Sequence, residues 1–256
     1  MRIKKAFYFS ATLMFILFSF SQCQTKSAQE VSTPEKVIVQ AAEDAMGGRV
    51  AYDQIKYLTW NFFGSRMWWW NKGTGDVRCE NLRDSSVFLM NIHTMEGKYR
   101  LKHVEITKPD TLKKYLQKGK NAWINDSYWL VMPFKLEDPG THLKHLGPDT
   151  TLDGRSAELM ELTFDNVGVT PDNKYVIYFD QESKLVTQWD YYRTSDAKEP
   201  RFQGPWQEYE EHGGVLFSRD RGRRQITGIG APDSLPKEIF EDITTPASEI
   251  LSKAES

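Results

Sequence analysis

Short runs of alternating apolar and polar residues, separated by turn residues, constrain the fold of this 256-residue chain more than any other feature. Turn residues such as Gly64-Ser65 and Glu96-Gly97 lie between the runs. The first five runs follow one another without a helical pattern between them: 57–63, 66–71, 75–81, 85–93 and 98–106. Because strands joined by tight turns pair with their neighbours, these runs predict an antiparallel meander.

A second series of alternating runs brings the total to about eleven strands. Its members are 144–152, 155–164, 174–179, 184–193, 202–210 and 215–225. A sheet of this size exposes edges unless it curls. The sequence therefore predicts a mainly β fold of the α+β class, an antiparallel half-open barrel of about eleven strands.

Two helical patterns interrupt the strands. The first begins at Thr33-Pro34, which suit a helix cap and first turn, and ends at Gly47-Gly48. The second begins at Pro109 and has an imperfect apolar face that Gly119 interrupts, so we expect this helix to bend or stop there. We expect the N-terminal helix to pack on the sheet, and the inserted helix to cover or plug the opening of the barrel.

The N-terminus is typical of an export signal. A basic start is followed by an apolar run, 6–20, which is shorter than the roughly 20 residues that a membrane-spanning helix needs. Cys23 comes directly after Ser21-Gln22 and resembles the acylated cysteine of a lipobox. Because Gln22 is not a small residue, an ordinary secretory peptide with an incidental Cys23 is the alternative, and a signal anchor is a third.

The charge balance argues against a nucleic-acid partner. The chain has 33 basic and 35 acidic side chains, a formal charge of -2. Removal of residues 1–22 takes away three basic residues and no acidic one, which makes the charge of the remainder -5. A nucleic-acid surface requires a basic excess. Composition does not indicate an oligomeric state.

Motifs for catalysis, metal binding and cofactor binding are not recognisable in the sequence. It contains no nucleophile elbow, phosphate-binding loop or dinucleotide fingerprint. His142 and His145 have a spacing seen in metal sites, but no partner motif accompanies them. Cys79 has no base nearby and is predicted to be a buried structural thiol. We therefore expect no catalytic residue, metal or cofactor, and we interpret the basic cluster at 219–224 as a solvated strand face.

The run Arg66-Met67-Trp68-Trp69-Trp70 is the most unusual local feature. In a strand, Trp68 and Trp70 share one face and Met67 and Trp69 share the other. Large rigid rings suit the wall of an apolar ligand site, although plain packing is the alternative. The candidate ligand-binding residues are Met67, Trp68, Trp69, Trp70, Trp129 and Phe134.

The order of these features resembles the lipoprotein carriers of Gram-negative bacteria, the LolA/LolB-type superfamily. The resemblance spans about 33–224. It includes the helix before the first strand, the meander, the inserted segment from Trp129 to Pro133-Phe134, and the closing segment from Trp206 to Gly213-Gly214. It implies a half-open β-barrel whose apolar cavity takes acyl chains. A lipid anchor on Cys23 would favour a membrane-fixed receptor or sensor over a soluble shuttle.

These observations predict four segments: a signal peptide (1–22), a tether after the lipidated cysteine (23–32), a LolA-like domain (33–231) and a C-terminal extension (232–256). We expect a non-catalytic lipoprotein of the cell envelope, anchored in the outer membrane or periplasmic. It would bind lipid or lipoprotein acyl chains, in lipid or lipoprotein trafficking. The alternatives are an envelope hydrolase, which would use Glu161, Asp165 and His212, and a scaffold protein of an envelope complex.

Overall fold

The structure is a computed structural model that describes residues 32–165 and 167–254. The export signal and Cys23 lie outside these residues, as does most of the tether. The chain from Ser32 onward forms one compact unit. Five α-helices occur in the described residues: α1 (Pro34–Ala45), α2 (Arg49–Gln54), α3 (Pro109–Val131), α4 (Glu238–Glu241) and α5 (Ala247–Ala254). A 3-10 turn, Met132–Lys135, follows α3 directly.

Fourteen β-strands are present in the same residues, three more than the sequence predicts. They are β1 (Tyr57–Phe62), β2 (Arg66–Asn71), β3 (Asp76–Asn81), β4 (Val87–Asn91), β5 (Gly97–Leu101), β6 (Val104–Glu105), β7 (Thr141–Thr150), β8 (Ser156–Phe164), β9 (Lys174–Asp180), β10 (Val186–Tyr192), β11 (Phe202–Pro205), β12 (Gln207–His212), β13 (Val215–Asp220) and β14 (Ile226–Gly230). The mainly β, antiparallel fold class is confirmed.

The strands form three antiparallel sheets. The seven-stranded sheet has the order β14-β1-β2-β3-β4-β5-β6, and the five-stranded sheet has the order β11-β10-β9-β8-β7. Strands β12 and β13 form a separate hairpin. The sequence pattern misses β14 because its pairing with β1 joins residues far apart in the chain. It also treats β11 and β12 as one strand, whereas they separate at Trp206, whose N–H donates to the carbonyl of Thr187 at 2.9 Å.

Helix α1 confirms its sequence signals. The Thr33 side chain accepts a hydrogen bond from the Lys36 N–H at 3.4 Å and caps the helix. Val39 and Ala42 are buried against residues of the five-stranded sheet. The helix ends before Gly47, which has a φ of 107° and lies so close to Gly214 that a Cβ atom would stand 2.1 Å from the Gly214 carbonyl oxygen. Only glycine fits this position.

Helix α3 corrects a prediction, because it is 23 residues long and continues through Gly119 to Val131. Gly119 is buried against β4, where a Cβ atom would lie 2.8 Å from Cδ1 of Phe88. The glycine therefore permits close helix–sheet contact rather than ending the helix. Leu116 and Leu130 pack toward the seven-stranded sheet, and Tyr128 packs toward the five-stranded sheet.

The chain after β14 folds onto the outer face of the seven-stranded sheet. Ile239, Ala247 and Ile250 are buried there and form a cluster with Trp69. Arg78 on β3 is fully buried and fastens this segment. Its guanidinium donates to the carbonyls of Ile239, Asp242 and Thr245 at 2.6–3.2 Å, and it pairs with Glu80 at 2.7 Å. Within residues 32–165 and 167–254, no helix is long and apolar enough to span a membrane.

Candidate ligand-binding pocket

Asp126 fixes the position of α3 on the seven-stranded sheet. Its carboxylate is fully buried and accepts two hydrogen bonds from Arg66, at 2.6 and 2.8 Å, and one from Trp68 Nε1 at 2.9 Å. Bidentate charged pairs of this kind hold geometry closely. Asp126 therefore joins the C-terminal half of α3 to β2.

The opposite side of α3 borders a pocket of about 280 Å³. Its walls come from the C-terminal half of α3, the connection to β7, the ends of β8 and β9, and the loop between those two strands. Five aromatic side chains line it: Trp123, Tyr128, Trp129, Phe164 and Tyr175. Lys135 and Asp138 also line the pocket, and they form an ion pair with each other.

Ring-to-ring contacts hold the wall of the pocket together. Trp129 stands edge-on to Trp189 with ring centroids 4.4 Å apart, and Tyr175 stacks on Trp189 at 5.1 Å. Tyr128 stands edge-on to Phe164 at 6.2 Å. Such geometries are the favoured arrangements of aromatic pairs. They build the aromatic part of the wall, and the polar side chains of the lining are Asn125, Ser127, Lys135, Asp138, Thr141 and Thr170.

Two tyrosines line the pocket, and burial raises the pKa of both hydroxyls. The Tyr128 hydroxyl oxygen is buried and has no hydrogen-bond partner among the described residues. Burial raises the pKa of Tyr128 well above its usual value. Burial also raises the pKa of Tyr175 to about 12, partly offset by its hydrogen bond to Asn173. Both side chains therefore stay neutral at physiological pH.

Arg221 contacts the backbone of the pocket residue Trp129. The sequence suggests a solvated basic cluster here, but the Arg221 side chain is buried, and its guanidinium stacks on the Trp206 ring at 3.5 Å. It donates to the carbonyl of Trp129 at 2.6 Å. Burial lowers the pKa of Arg221 to about 9. The carbonyl bond belongs to the last turn of α3, where a cation is favourable.

Of the six candidate ligand residues, Trp129 alone is among the residues that line this pocket. Trp68 is buried between the sheet and α3 and donates to Asp126, as described above. Trp70 faces the same way and stands edge-on to Trp123 at 5.1 Å. Met67 and Trp69 lie on the outer face with the C-terminal segment, so the predicted division of the run between two faces is confirmed.

Phe134 lies in a different contact. It is buried, stacks on Tyr52 with ring centroids 4.2 Å apart, and has the guanidinium of Arg49 5.5 Å from its ring centroid. The described core is packed with four tryptophans that have no exposed surface: Trp60, Trp68, Trp189 and Trp206. The pocket lies beside α3. The sequence had instead suggested an open apolar cavity inside a half-open barrel.

The three residues considered for a hydrolase have separate partners. Asp165 pairs with His142 at 2.6 Å, Glu161 with Lys174 at 3.9 Å, and His212 with Glu210 at 3.6 Å. No hydrogen bond or ion pair joins the three to one another within the described parts of the chain. Nothing in this geometry favours a shared catalytic site.

The remaining titratable candidates also have local partners. His145 contacts Glu158 at 2.7 Å, whereas His142 pairs with Asp165. The two histidines therefore have different carboxylate partners and do not converge on one metal site. Among residues 32–165 and 167–254, no group of three or more His, Cys, Asp and Glu is arranged to hold a metal ion. Cys79 is fully buried, and burial raises the pKa of its thiol, which confirms the structural role expected from the sequence.

Sequence reasoning missed Trp123, Tyr128, Phe164 and Tyr175 as pocket residues. Two of them carry a signal in retrospect, because Phe164 ends one alternating run and Tyr175 is the second residue of the next. Both are directed to the same face of the sheet as Met160 and Ile177. The pocket appears only when α3 is placed against that face.

The comparisons with known proteins give little beyond this geometry. No family model matches the sequence, and no match is found among curated proteins. One solved structure that matches is a DUF1329 family protein from Desulfovibrio piger, with 13% identity and a TM-score of 0.42. The match covers 85% of this chain and 99% of that one. A TM-score this low carries no argument about function, so the resemblance to LolA/LolB-type carriers stays a prediction.

Proposed function

We propose that this protein is a non-catalytic binding protein of the cell envelope, which holds an apolar chain in the pocket beside α3. The observation that supports the proposal is a pocket of about 280 Å³ whose lining includes five aromatic side chains. Apolar concave sites with few polar groups are the usual form of small-molecule sites. The export-type N-terminus of the sequence supports the location.

The size of the pocket sets the size of the ligand. A cavity of about 150 Å³ accepts benzene, and pockets for drug-sized ligands have about 300–1,000 Å³. The pocket here lies near the lower limit, so it suits part of one acyl chain rather than a whole lipid. Each buried methylene contributes about 0.8 kcal/mol. Six to eight of them would give roughly 5–6 kcal/mol before the cost of immobilising the chain.

The finer proposal concerns the anchor. Acylation of Cys23 would tether the body to a membrane, and the protein would then act as a fixed receptor or sensor of lipid or lipoprotein acyl chains. A single acyl group in the pocket is compatible with a role in lipid or lipoprotein trafficking. The intact mass of the protein isolated from its envelope measures both the cleavage site and any acyl groups. An unmodified Cys23, or its removal with the leader, would contradict this part.

Binding itself is tested with the purified protein. Mass spectrometry of its organic extract should detect a bound amphiphile, and calorimetric titration with 1-decanol should show one saturable site. Val169, which is 44% exposed at the pocket, is replaced with arginine to place a charge in the wall. This Val169→Arg change should weaken the binding of 1-decanol, because a guanidinium at the wall loses water when an apolar chain covers it.

The matched control is Val104→Arg. Val104 is 65% exposed on β6 and does not line the pocket, so this variant should bind 1-decanol as the unmodified protein does. An empty extract together with no saturable binding would reject the proposed function. Equal loss of binding in both variants would show that added charge, rather than the pocket, is responsible.

A further inference from the structure

One stretch of the chain, residues 98–120, concentrates positive charge. It has eight basic and two acidic side chains, a formal charge of +6, whereas the remaining residues together have a formal charge of -8. The stretch comprises most of β5, all of β6 and the first half of α3, so it forms one edge of the seven-stranded sheet and the part of the helix that packs beside that edge. Such a separation of charge within one compact unit favours an anionic partner on this side of the molecule.

Five lysines of this stretch define what we call the basic surface. All five are exposed, and none has an ion-pair partner among residues 32–165 and 167–254: Lys102, Lys108, Lys113, Lys114 and Lys118. Lys114 and Lys118 lie one turn apart on α3, on the side opposite the buried Leu116 and Gly119. Like charges at this spacing repel one another, so an external counter-charge is stabilising here.

An exposed apolar side chain lies beside the basic surface. Val104 is 65% exposed in the short hairpin of β5 and β6, and it follows Lys102 and His103 directly in the chain. Strand β6 is also the edge strand of its sheet. Lysines around an exposed apolar residue are typical of proteins that lie on an anionic bilayer, where the charges attract the headgroups and the apolar group enters the interface. A nucleic acid would use the charges but not the valine.

We propose that the basic surface docks the protein on a bilayer that contains anionic phospholipid. The phosphate groups of the lipid headgroups supply the counter-charge, and Val104 enters the interfacial region. The remainder of the molecule has the opposite charge and is directed away from the bilayer. The inference does not depend on the pocket or on an acyl group at Cys23, because it concerns a different surface and a different kind of contact.

The test measures partition of the purified protein onto two kinds of vesicle, phosphatidylcholine alone and phosphatidylcholine with about 30% phosphatidylglycerol. The quantity of interest is the ratio of the two partition coefficients, because the ratio cancels any acyl anchor that both vesicles accept equally. At about 50 mM salt the anionic vesicles should be favoured by at least about fiftyfold, and at about 500 mM salt the ratio should approach about one, because ions screen the attraction.

A triple variant addresses the lysines of α3. Their replacement should lower the ratio by about tenfold or more: Lys113→Gln, Lys114→Gln and Lys118→Gln. The matched control changes the net charge equally at exposed positions on other elements, and should lower the ratio by less than about twofold. Its substitutions are Lys56→Gln, Lys184→Gln and Lys198→Gln.

A second variant addresses the apolar contact. Val104→Ser should lower partition onto the anionic vesicles by about two- to fivefold, because a hydroxyl gains less than two methyl groups from entering the interface. An unchanged partition would contradict the entry of Val104 into the bilayer.

Three results would overturn the docking itself. The first is equal partition onto the two kinds of vesicle at low salt, and the second is an equal effect of the two triple variants. The third is displacement of the protein from anionic vesicles by an oligonucleotide at the same phosphate concentration, which would indicate a general polyanion surface. None of these results bears on the pocket, which the titration with 1-decanol tests separately.

Discussion

The two large sheets meet their covering helices in different ways. Charged side chains join the seven-stranded sheet to the elements that cover its two faces. On the inner face Arg66 bonds to the buried Asp126 of α3, and on the outer face the buried Arg78 bonds to the C-terminal segment. The five-stranded sheet meets α3 through aromatic rings, and a pocket lies at this contact. Directed bonds fix one distance between two elements. Ring contacts allow a gap, so the side without buried charged pairs is the side that can accept a ligand.

The largest effect is expected from Arg78→Ala. The change leaves three buried carbonyls and Glu80 without their partner, and should lower the free energy of unfolding by about 4 kcal/mol. It should also make the C-terminal segment sensitive to proteolysis. The matched control is Lys98→Ala, because Lys98 contacts the same segment from an exposed position through the carbonyl of Glu241. Equal effects in urea denaturation would mean that the buried charge does not fasten this face.

Asp126→Ala tests the inner face. Removal of the carboxylate leaves Arg66 and the indole N–H of Trp68 unpaired, and should cost about 3 kcal/mol in the free energy of unfolding. Asp138→Ala is the counterpart at the pocket, where the pair with Lys135 is exposed and should contribute less than about 1 kcal/mol. If Asp138→Ala proved the more harmful change, the contrast between the two sides of α3 would be wrong.

Gly119→Val tests the close contact between α3 and β4. The added side chain would meet Phe88 and Met90 and should destabilise the fold by about 2 kcal/mol through overpacking. Lys114→Val places the same side chain at an exposed position of the same helix, where about 0.5 kcal/mol is expected from helix propensity. Thermal denaturation of both variants measures the difference. A neutral Gly119→Val would show that the helix can move away from the sheet.

The smallest effect is spectroscopic. Trp123 lines the pocket, whereas Trp69 lies under the C-terminal segment. Binding of 1-bromodecane should quench part of the tryptophan fluorescence by direct contact with the bromine atom. Trp123→Phe should reduce the fluorescence intensity that is lost on binding, and Trp69→Phe should leave that loss of intensity unchanged. Quenching that depends on Trp69 instead would place the ligand on the outer face of the seven-stranded sheet.

Local patterns predict much of the fold. The start and end of α1 follow from Thr33-Pro34 and Gly47-Gly48, and the bounds of β2 agree with its alternating run. The same patterns fail where the partner is remote. Strand β14 exists because it pairs with β1, and α3 continues past Gly119 because β4 accepts the close approach. Neither partner can be identified from the residues around the feature.

The candidate site shows the same division. Trp129 is recognisable in the sequence as an unusual aromatic residue, yet Trp68 and Phe134 look equally suitable and are used for packing. Tyr128 carries no sequence signal, because its place in the pocket wall depends on the packing of α3 against the five-stranded sheet. That packing joins residues that are far apart in the chain.

The sequence alone determined the antiparallel strands, the first helix and the side of β2 to which each tryptophan points. These properties follow from periods of two and 3.6 residues and from turn chemistry, which act between residues close in the chain. Tertiary structure decided that the buried Asp126 carboxylate joins α3 to β2 and that the opposite side of α3 borders a pocket. Both depend on how one helix is placed between two sheets, and that placement is set by contacts between distant residues.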